Sequence, residues 1–397
     1  MKISLLYIIL ILISCSKQKL TLDGNWKLNI EIDNEQIPVV IELNQNKNKV
    51  EGFLVNSNER LELKGSISEN IFELDVGPHY AMFRGELSRE GIKGNWIRTN
   101  KKNYLVPFTG IKFNKSSLYE VYENSSSLID VNGKWKVELG DEKIGLGLFK
   151  QRGSRVQGSI LTQTGDYRFL DGYIENDKVT LTGFDGVFAF KIYFTVSRDK
   201  FIGKMHAGKS SVINIKAIKD DSFKLIDPTK MAELTSSKPV SLKLNSIEDK
   251  EINFSKGDYK GKAKVIQLFG SWCPNCVDET RFLKEWREKN SSKKDSIKFI
   301  LLAFERADSK ITALKNLKKA VSKLGVDYSV VLADFDQSND ISKFLPIKKI
   351  LAFPTTVYIN RKNEIVKIHT GFAGQATEFF FDEFVKDFNS TIDVIIK

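Results

Sequence analysis

The N-terminal half of this 397-residue chain repeats itself, and this repeat constrains the fold more than any other feature. The opening segment Asp23–Lys27, which contains a Gly-x-Trp motif, recurs as Val131–Lys136. Three more matches follow in the same order: Val50–Phe53 with Val156–Ser159, Leu63–Gly65 with Leu170–Gly172, and Ile92–Gly94 with Phe201–Gly203. Because chance rarely produces several matches in one order, the sequence predicts duplication of a single structural unit.

Each unit consists of short runs of alternating apolar and polar residues, broken by Gly, Asn, Asp and Ser, between about Leu22 and Ile218. This pattern is typical of antiparallel β-structure. Closing about seven or eight such strands into a small barrel removes their exposed edges. We therefore predict two β-rich repeats, residues 20–114 and 131–220, as small barrels or as one compound sheet, joined by a polar linker at 116–130.

The N-terminus predicts export. Lys2 precedes an apolar run, Leu5–Ile13, that is shorter than the roughly 20 residues a membrane-spanning helix needs. We interpret residues 1–15 as a secretion signal. Leu12–Cys15 resembles the lipobox of bacterial lipoproteins, which implies lipidation of Cys15 and a lipid anchor in the membrane. The alternatives are an ordinary signal peptide or an uncleaved anchor. The predicted location is the cell envelope, at the periplasmic or extracellular face.

The formal charge of +11 raises the question of nucleic acid, but the lysines are scattered and the chain is predicted to be exported. We expect no nucleic-acid partner. The densest cluster is Lys315, Lys318, Lys319 and Lys323, on a predicted amphipathic helix. We interpret it as a solvated helix face, with weak attraction to anionic lipid as the alternative.

After Asp220 the pattern changes to apolar strands separated by helices, which indicates an α/β domain with a covered central sheet at residues 235–397. A short hairpin around Val240–Leu244 and Lys250–Phe254 leads into it. The predicted strands are Lys264–Phe269, Ile297–Phe304, Ser329–Ala333, Thr355–Ile359 and Ile365–His369. The predicted helices are Cys276–Lys289, Lys310–Leu324, a short one near Asp340–Phe344, and Thr377–Phe388.

A Cys-x-x-Cys motif, Cys273-Pro274-Asn275-Cys276, follows the first of these strands and opens a helix. A helix N-terminus stabilises a thiolate, which makes Cys273 the predicted nucleophile. Cys276 lies one turn deeper and can resolve a mixed disulfide. Pro274 suits the first helical turn, where no N–H is needed. With only three cysteines in the chain, a structural disulfide framework is not expected.

Half of a zinc site is the alternative interpretation of this motif, but zinc needs two further ligands. The sequence has no second Cys-x-x-Cys, and its histidines, His79, His206 and His369, are isolated from one another. We therefore predict no metal, and no cofactor beyond a redox-active disulfide between Cys273 and Cys276.

Two paired motifs resemble the thioredoxin superfamily, specifically the extracytoplasmic TlpA/ResA-type reductases. They are Trp272 with its Cys-x-x-Cys, and Phe353–Thr356 before an apolar strand. The resemblance covers about Val240 to Lys397. Further segments resemble a lipoprotein branch of that family, in its redox domain and its β-rich part: Leu302–Arg306, Ile368–Phe372, Gly165–Arg168 and Phe184–Gly186. The resemblance implies a thiol:disulfide oxidoreductase and gives no role to the β-rich part.

The resemblance also implies a cis peptide bond at Pro354, which leaves the backbone of Phe353 free to pair with an extended client. An ordinary proline at a strand start is the alternative. On this basis Trp272, Pro274, Phe353 and Pro354 are the predicted substrate-binding residues.

In one place the chain departs from thioredoxin: Gln267 occupies the position of a buried proton-transferring aspartate. Glu279 matches a glutamate of the ResA type and, three residues from Cys276, shares its helix face. We predict that Glu279 accepts the proton of Cys276. The alternative is that Glu279 and Asp278 are first-turn acids that stabilise the helix dipole.

The first functional hypothesis is reduction of disulfides in exported proteins, with electrons from a membrane donor. Oxidation or isomerisation by the same dithiol is the second. The third is a ligand- or partner-binding surface lipoprotein with an accessory redox domain. The peroxidatic pattern Pro-x-x-x-Thr-x-x-Cys is absent from the sequence, which argues against a peroxidase.

Overall fold

The computed structural model describes residues 20–114, 118–141 and 143–397. The predicted signal and Cys15 lie outside the described residues, as do Ser116 and Ser117 of the predicted linker. Within the described ranges, the helices are too short or too polar to cross a bilayer.

The first eight strands form a closed antiparallel barrel, called barrel 1 here. Each strand pairs with the next, and β1 closes the ring by pairing with β8. The strands are β1 (Gly24–Ile32), β2 (Glu35–Asn46), β3 (Lys49–Asn56), β4 (Glu59–Ser68), β5 (Ile71–Val76), β6 (Ala81–Leu87), β7 (Ile92–Arg98) and β8 (Leu105–Lys112).

The next nine strands form barrel 2. Here β10 pairs with both β9 and β11, and β9 pairs with β17, so eight strands close a ring while the short β12 pairs with the end of β11. The strands are β9 (Gly133–Leu139), β10 (Lys143–Arg152), β11 (Arg155–Thr162), β12 (Gly165–Asp166), β13 (Leu170–Glu175), β14 (Lys178–Phe184), β15 (Ala189–Ser197), β16 (Lys200–Ala207) and β17 (Ser211–Lys219). The prediction of a duplicated all-β region is confirmed, in its two-barrel form.

The repeated Gly-x-Trp motif has the same structure in both barrels. Trp26 Nε1 donates a hydrogen bond of 2.7 Å to the carbonyl of Leu22, and Trp135 Nε1 donates one of 2.9 Å to the carbonyl of Val131. Both indoles are fully buried in the core of their barrel. Since a buried indole N–H must find an acceptor, each barrel folds its own lead-in segment back over the tryptophan.

The repeated glycines mark close approaches between strands. A Cβ at Gly65 would lie 1.8 Å from the carbonyl oxygen of Glu73, and a Cβ at Gly172 would lie 1.8 Å from that of Thr180. Any larger residue would push the neighbouring strand away. The recurrence of glycine in the two repeats therefore follows from the curvature needed to close each ring.

The linker between the barrels packs on barrel 2. Its 3₁₀ turn, Glu120–Asn124, places Tyr122 in a stack on Tyr173 with ring centroids 4.5 Å apart. Arg155 of β11 binds Glu123 of the linker at 2.5 Å and Asp171 of β13 at 2.5 Å. The linker is therefore attached to barrel 2 by aromatic packing and a buried ion pair.

The C-terminal domain has a five-stranded sheet in the order β22-β21-β20-β23-β24, preceded by a hairpin of β18 and β19. Strands β20, β21 and β22 pair in parallel. Strand β23 pairs antiparallel with both of its neighbours, β20 and β24. The strands are β18 (Lys243–Asn245), β19 (Glu251–Asn253), β20 (Ala263–Phe269), β21 (Ile297–Phe304), β22 (Ser329–Asp334), β23 (Thr355–Ile359) and β24 (Ile365–Thr370). The helices are α1 (Pro274–Lys289), α2 (Lys310–Leu324) and α3 (Phe379–Ile395).

Three predicted helices of this domain differ from the structure. Helix α1 begins at Pro274 rather than Cys276, because Cys273 acts as its N-cap. Helix α3 continues past Phe388 to Ile395, since Ile392 and Ile395 extend its buried face. The short helix near Asp340–Phe344 is a 3₁₀ turn.

The lysine cluster on α2 is only partly a solvated face. Lys319 and Lys323 lie 3.4 Å and 3.1 Å from the carboxylate of Asp75 in barrel 1, and Lys323 also donates to the carbonyl of Gly77 at 2.9 Å. These lysines therefore join the C-terminal domain to barrel 1, which the sequence did not predict.

Candidate active site: a dithiol at the start of helix α1

Cys273 and Cys276 lie at the N-terminus of α1, and both are free thiols. The sulfur of Cys273 accepts the backbone N–H of Cys276 at 3.3 Å, and the Cys273 N–H bonds to the carbonyl of Gly270 at 2.9 Å. An N–H directed at a sulfur stabilises negative charge on it. The geometry therefore favours attack by Cys273.

The two thiols differ in depth. Cys273 is 6% exposed, whereas Cys276 is fully buried. Burial raises the pKa of Cys276, and its hydrogen bond to Cys273 and the charge there add to the effect. A buried neutral thiol is a poor first nucleophile but is well placed to attack a disulfide formed at its neighbour.

Residues predicted to bind substrate surround Cys273. The Phe353–Pro354 peptide bond is cis, as the resemblance implies, and the carbonyl of Phe353 accepts the thiol of Cys273 at 3.4 Å. The Trp272 ring packs edge-on against Phe353 with centroids 5.2 Å apart. Pro274 occupies the first position of α1. The structure thus brings Trp272, Pro274, Phe353 and Pro354 together around one sulfur.

Glu279 lies beneath the dithiol and is fully buried. Its Oε1 accepts the hydroxyl of Thr356 at 2.7 Å, and its Oε2 accepts the amide of Gln267 at 2.7 Å. The same Gln267 amide donates to the carbonyl of Cys276 at 3.2 Å. Burial raises the pKa of Glu279 to about 7. Gln267, which cannot ionise, therefore connects the carboxyl to the backbone of the inner cysteine.

The alternative interpretation of Glu279 and Asp278 as first-turn acids is wrong. Because α1 starts at Pro274, both residues fall in its second turn. Their side chains also point to different neighbours. Glu279 faces the sheet, whereas Asp278 faces outward, with Arg281 3.3 Å and Arg168 2.6 Å from its carboxylate.

Two residues at the end of β21 also belong to the site, and sequence reasoning gave them no role. The carboxylate of buried Glu305 accepts the Ser271 N–H at 3.0 Å and also bonds to the Ser271 hydroxyl, which fixes the loop before Cys273. The guanidinium of Arg306 lies 3.4 Å above the ring of Trp272. Partial burial lowers the pKa of Arg306, and its attraction to both cysteines opposes that shift.

Comparison with known proteins fits this geometry. Residues 232–379 match the family model described as Redoxin. The chain carries a thioredoxin-like domain of the TlpA/ResA type. Its activity is that of a thioredoxin-like oxidoreductase. The thiol-disulfide oxidoreductase ResA of Halalkalibacterium halodurans is 24% identical over 151 residues, which cover 37% of this chain and 73% of that protein.

Two solved structures of bacterial proteins are among those that match part of this chain. A thioredoxin-family thiol:disulfide interchange protein from Chlorobium tepidum TLS has 18% identity and covers 41% of this chain and 99% of its own, with a TM-score of 0.30. A thiol-disulfide oxidoreductase from Bacteroides fragilis NCTC 9343 has 14% identity and covers 38% and 99%, with a TM-score of 0.29.

The thioredoxin-like domain is in contact with barrel 2 at its dithiol, and barrel 1 binds the same contact residue. From barrel 2, Asp166 and Arg168 bond to residues of the Cys-x-x-Cys turn and of α1. From barrel 1, Glu59 binds the same Arg168. Sequence reasoning noted Gly165–Arg168 as a family resemblance and missed its position. The one local signal for this position in the sequence is that two charged residues, Asp166 and Arg168, interrupt the alternating pattern of a strand.

Proposed function

We propose that the protein reduces disulfides of exported proteins at the cell envelope, through Cys273 and Cys276. The observation that carries the proposal is the pairing of an outer sulfur, bonded to a helix N–H and to the carbonyl of Phe353, with a buried thiol one turn below. This is the arrangement that two successive sulfur attacks require.

The chemistry proceeds in two balanced steps. The thiolate of Cys273 attacks one sulfur of the client disulfide, the client S–S bond breaks, and the departing client sulfur takes up a proton. Cys276 then loses its proton and attacks the sulfur of Cys273. The Cys273–Cys276 disulfide forms and the client is released with its second thiol. Two electrons have passed to the client, and a membrane donor of electrons restores the dithiol.

Glu279 is the proposed acceptor of the Cys276 proton. A carboxyl with a pKa of about 7 is partly ionised at neutral pH, so it can take a proton and later release it. Gln267 bonds to both Glu279 and the carbonyl of Cys276, and because its amide does not ionise it can only orient the carboxyl. The role of Gln267 is therefore to position Glu279.

The protein is proposed to work as a lipoprotein anchored through Cys15, on the periplasmic or extracellular face. Replacement Cys15→Ala then removes the acyl chains that hold it on the membrane, since stable retention needs them. The expected result is loss of partitioning into the detergent phase. Unchanged partitioning of the variant would exclude this anchor.

A ligand-binding lipoprotein with an accessory redox domain is not favoured. The inward-facing side chains of each barrel form a continuous apolar core, which includes Phe72, Phe83 and Phe108 in barrel 1 and Phe149, Phe194 and Phe201 in barrel 2. Small barrels need such residues simply to fill their interior.

The proposed roles of the two cysteines are tested by trapping. Cys276→Ser removes the resolving thiol, so clients accumulate as mixed disulfides on Cys273 and are detected on non-reducing gels. Cys273→Ser removes the first nucleophile and traps little. Equal trapping by the two variants would contradict the assignment.

The direction of electron flow is tested by the reduction potential of the Cys273–Cys276 pair. A reductant is expected near or below the value of thioredoxin, about −270 mV. Equilibration with a glutathione or dithiothreitol series measures it. A potential well above that value would indicate an oxidant.

A further inference from the structure

Residues 159–169 of barrel 2, called the tip segment here, lie directly against the dithiol turn. The amide of Asn275, which stands between the two cysteines, donates to the carbonyl of Asp166 at 3.3 Å. A Cβ on Gly165 would lie only 2.0 Å from that same amide nitrogen. No space for even one carbon atom remains between the barrel and the Cys-x-x-Cys turn at this point.

The tip segment also binds the loop that follows β24 in the thioredoxin-like domain. The carboxylate of Asp166 accepts the N–H of Gly374 at 2.5 Å. A Cβ on Gly371 would lie 3.2 Å from the carbonyl oxygen of Gln163. The segment therefore contacts two separate parts of the redox domain, Asn275 on one side and residues 371–374 on the other.

Arg168 fixes the segment in this position. Its side chain is 4% exposed and forms an ion pair of 2.6 Å with Asp278 of α1, a hydrogen bond of 3.3 Å to the carbonyl of Pro274, and a contact with Glu59 of barrel 1. Its backbone is left-handed, with φ of 56°, which costs energy for a residue other than glycine. A buried guanidinium is tolerated because acids from two other units pair with it.

Only residues 163–169 of the tip segment lie outside the ring of eight strands, since residues 159–162 belong to β11 and pair with β10. In barrel 1, the matched stretch between the partners Gly52 and Leu63 is a hairpin, paired up to a turn at Ser57 and Asn58. In barrel 2, the pairing of β11 with β13 stops at Gly158 and Leu170, and β11 pairs again with β12 at Leu161 and Thr162, so the hairpin is interrupted around Arg168. The contacts of residues 163–169 with the dithiol turn therefore serve something other than barrel closure.

We propose that the tip segment is a wall of the dithiol site that selects clients by width, with Arg168 as its positioning residue. Cys273, only 6% exposed, then reacts with a disulfide on a small molecule or an extended chain, and a folded protein surface is kept away from it. This inference rests on the proposed function and adds the class of substrate.

The test compares the reaction of Cys273 with two thiol reagents of different width in the reduced full-length protein. Iodoacetamide is narrow, and a maleimide carrying a polyethylene glycol chain is wide. Arg168→Ala is expected to raise the ratio of the wide to the narrow rate about tenfold, which corresponds to about 1.4 kcal/mol in the opening of the wall. Arg168→Lys, which keeps the charge, should restore part of the discrimination.

A matched control is Arg155→Ala, which breaks a buried ion pair of the same barrel, with Glu123 and Asp171, away from the dithiol. Its ratio should equal that of the parent. If Arg168→Ala does not fold, Asp278→Asn removes the same ion pair from the other side and gives the same expected rise.

A parental ratio in Arg168→Ala, or an equal rise in Arg155→Ala, would overturn the proposal. A change of both rates by one factor would also overturn it, because loss of charge alone acts on both reagents. The ratio is measured without any client, so it stays informative even if the protein reduces no disulfide, which would refute the proposed function instead.

Discussion

The two barrels have the same ring of eight strands and different relations to the dithiol. Barrel 1 keeps its β3–β4 hairpin paired without a break up to the turn, whereas the matching hairpin of barrel 2 is interrupted after Gly158 and Leu170 and pairs again through β12. The two stretches are nearly equal in length, since residues 53–62 correspond to residues 159–169. The contact of barrel 2 with the Cys-x-x-Cys turn therefore comes from a different backbone path in this copy and not from a large insertion.

The duplication conserves the residues that close each ring and leaves the end of the hairpin free to change. The buried tryptophan, its lead-in carbonyl and the close-approach glycines recur because ring closure depends on them. Residues 163–169 lie beyond the ring of eight strands, so one copy can give this end of the hairpin a new partner without losing the barrel. Substitutions at positions that differ between the barrels should thus affect access to the dithiol, and substitutions at positions that the barrels share should affect stability.

The largest expected effect concerns stability and should be equal in the two barrels. Trp26→Ala and Trp135→Ala each remove a fully buried indole, at a cost of about 3–5 kcal/mol in the free energy of unfolding. Urea unfolding followed by circular dichroism measures both. A clear tolerance of one substitution would show that the two rings do not have equivalent cores.

A second effect on stability distinguishes the barrels by the sign of its pH dependence, beginning with His79 of barrel 1. Burial, with Arg281, Arg98 and Lys323 nearby, lowers its pKa from 6.5 to about 3. The unfolded chain binds a proton that the folded one does not, so stability is complete above pH 6.5 and falls by about 3–5 kcal/mol toward pH 3. His79→Leu should flatten this part of the stability curve, and an unchanged acid slope would contradict the assignment.

Asp166 of barrel 2 should act in the opposite direction and more weakly. Burial raises its pKa from 3.8 to about 7, although two backbone N–H groups, from Gly374 and Arg168, oppose the shift. The folded chain then retains a proton that the unfolded one has lost. Stability is complete below pH 3.8 and decreases as the pH rises to 7. Asp166→Asn should remove that decrease, as measured by thermal melts across this range, and a melt profile identical to the parent would count against it.

The smallest stability effect is expected from exchanging the tips. Replacing residues 163–169 by the sequence of residues 57–62 keeps the length almost unchanged and should cost about 1–2 kcal/mol, since the ring strands and their apolar core stay intact. The wide maleimide should then reach Cys273 as in Arg168→Ala. Retention of full protection by the exchanged protein would show that other elements cover the dithiol.

Sequence reasoning succeeded where the information is local. The bounds of β21, α2 and β23 were predicted to the residue because apolar periodicity, the cap at Ser309 and Gly325 after α2 lie within a few positions of each element. The two cysteines followed from their own motif, whereas the cis bond at Pro354 was implied only by the family resemblance.

The missed features depend on residues far apart in the chain. The end of α3 was placed too early, at Phe388, because the packing of Ile392 and Ile395 that continues the helix is tertiary. The contacts of Arg168 with Glu59 and Asp278 join residues more than a hundred positions apart and leave no periodic trace in the sequence.

The ion pairs of Arg168 with Glu59 and Asp278 have a consequence for how such proteins diversify. Since one guanidinium is bound by acids from barrel 1 and from the redox domain, a change at any of the three positions is neutral only together with changes at the others. Related sequences with this architecture should therefore vary at Glu59, Arg168 and Asp278 jointly. A redox domain joined to barrels from another protein would keep its dithiol chemistry but lose the ion pairs with the barrels. The two barrels and the redox domain therefore evolve together.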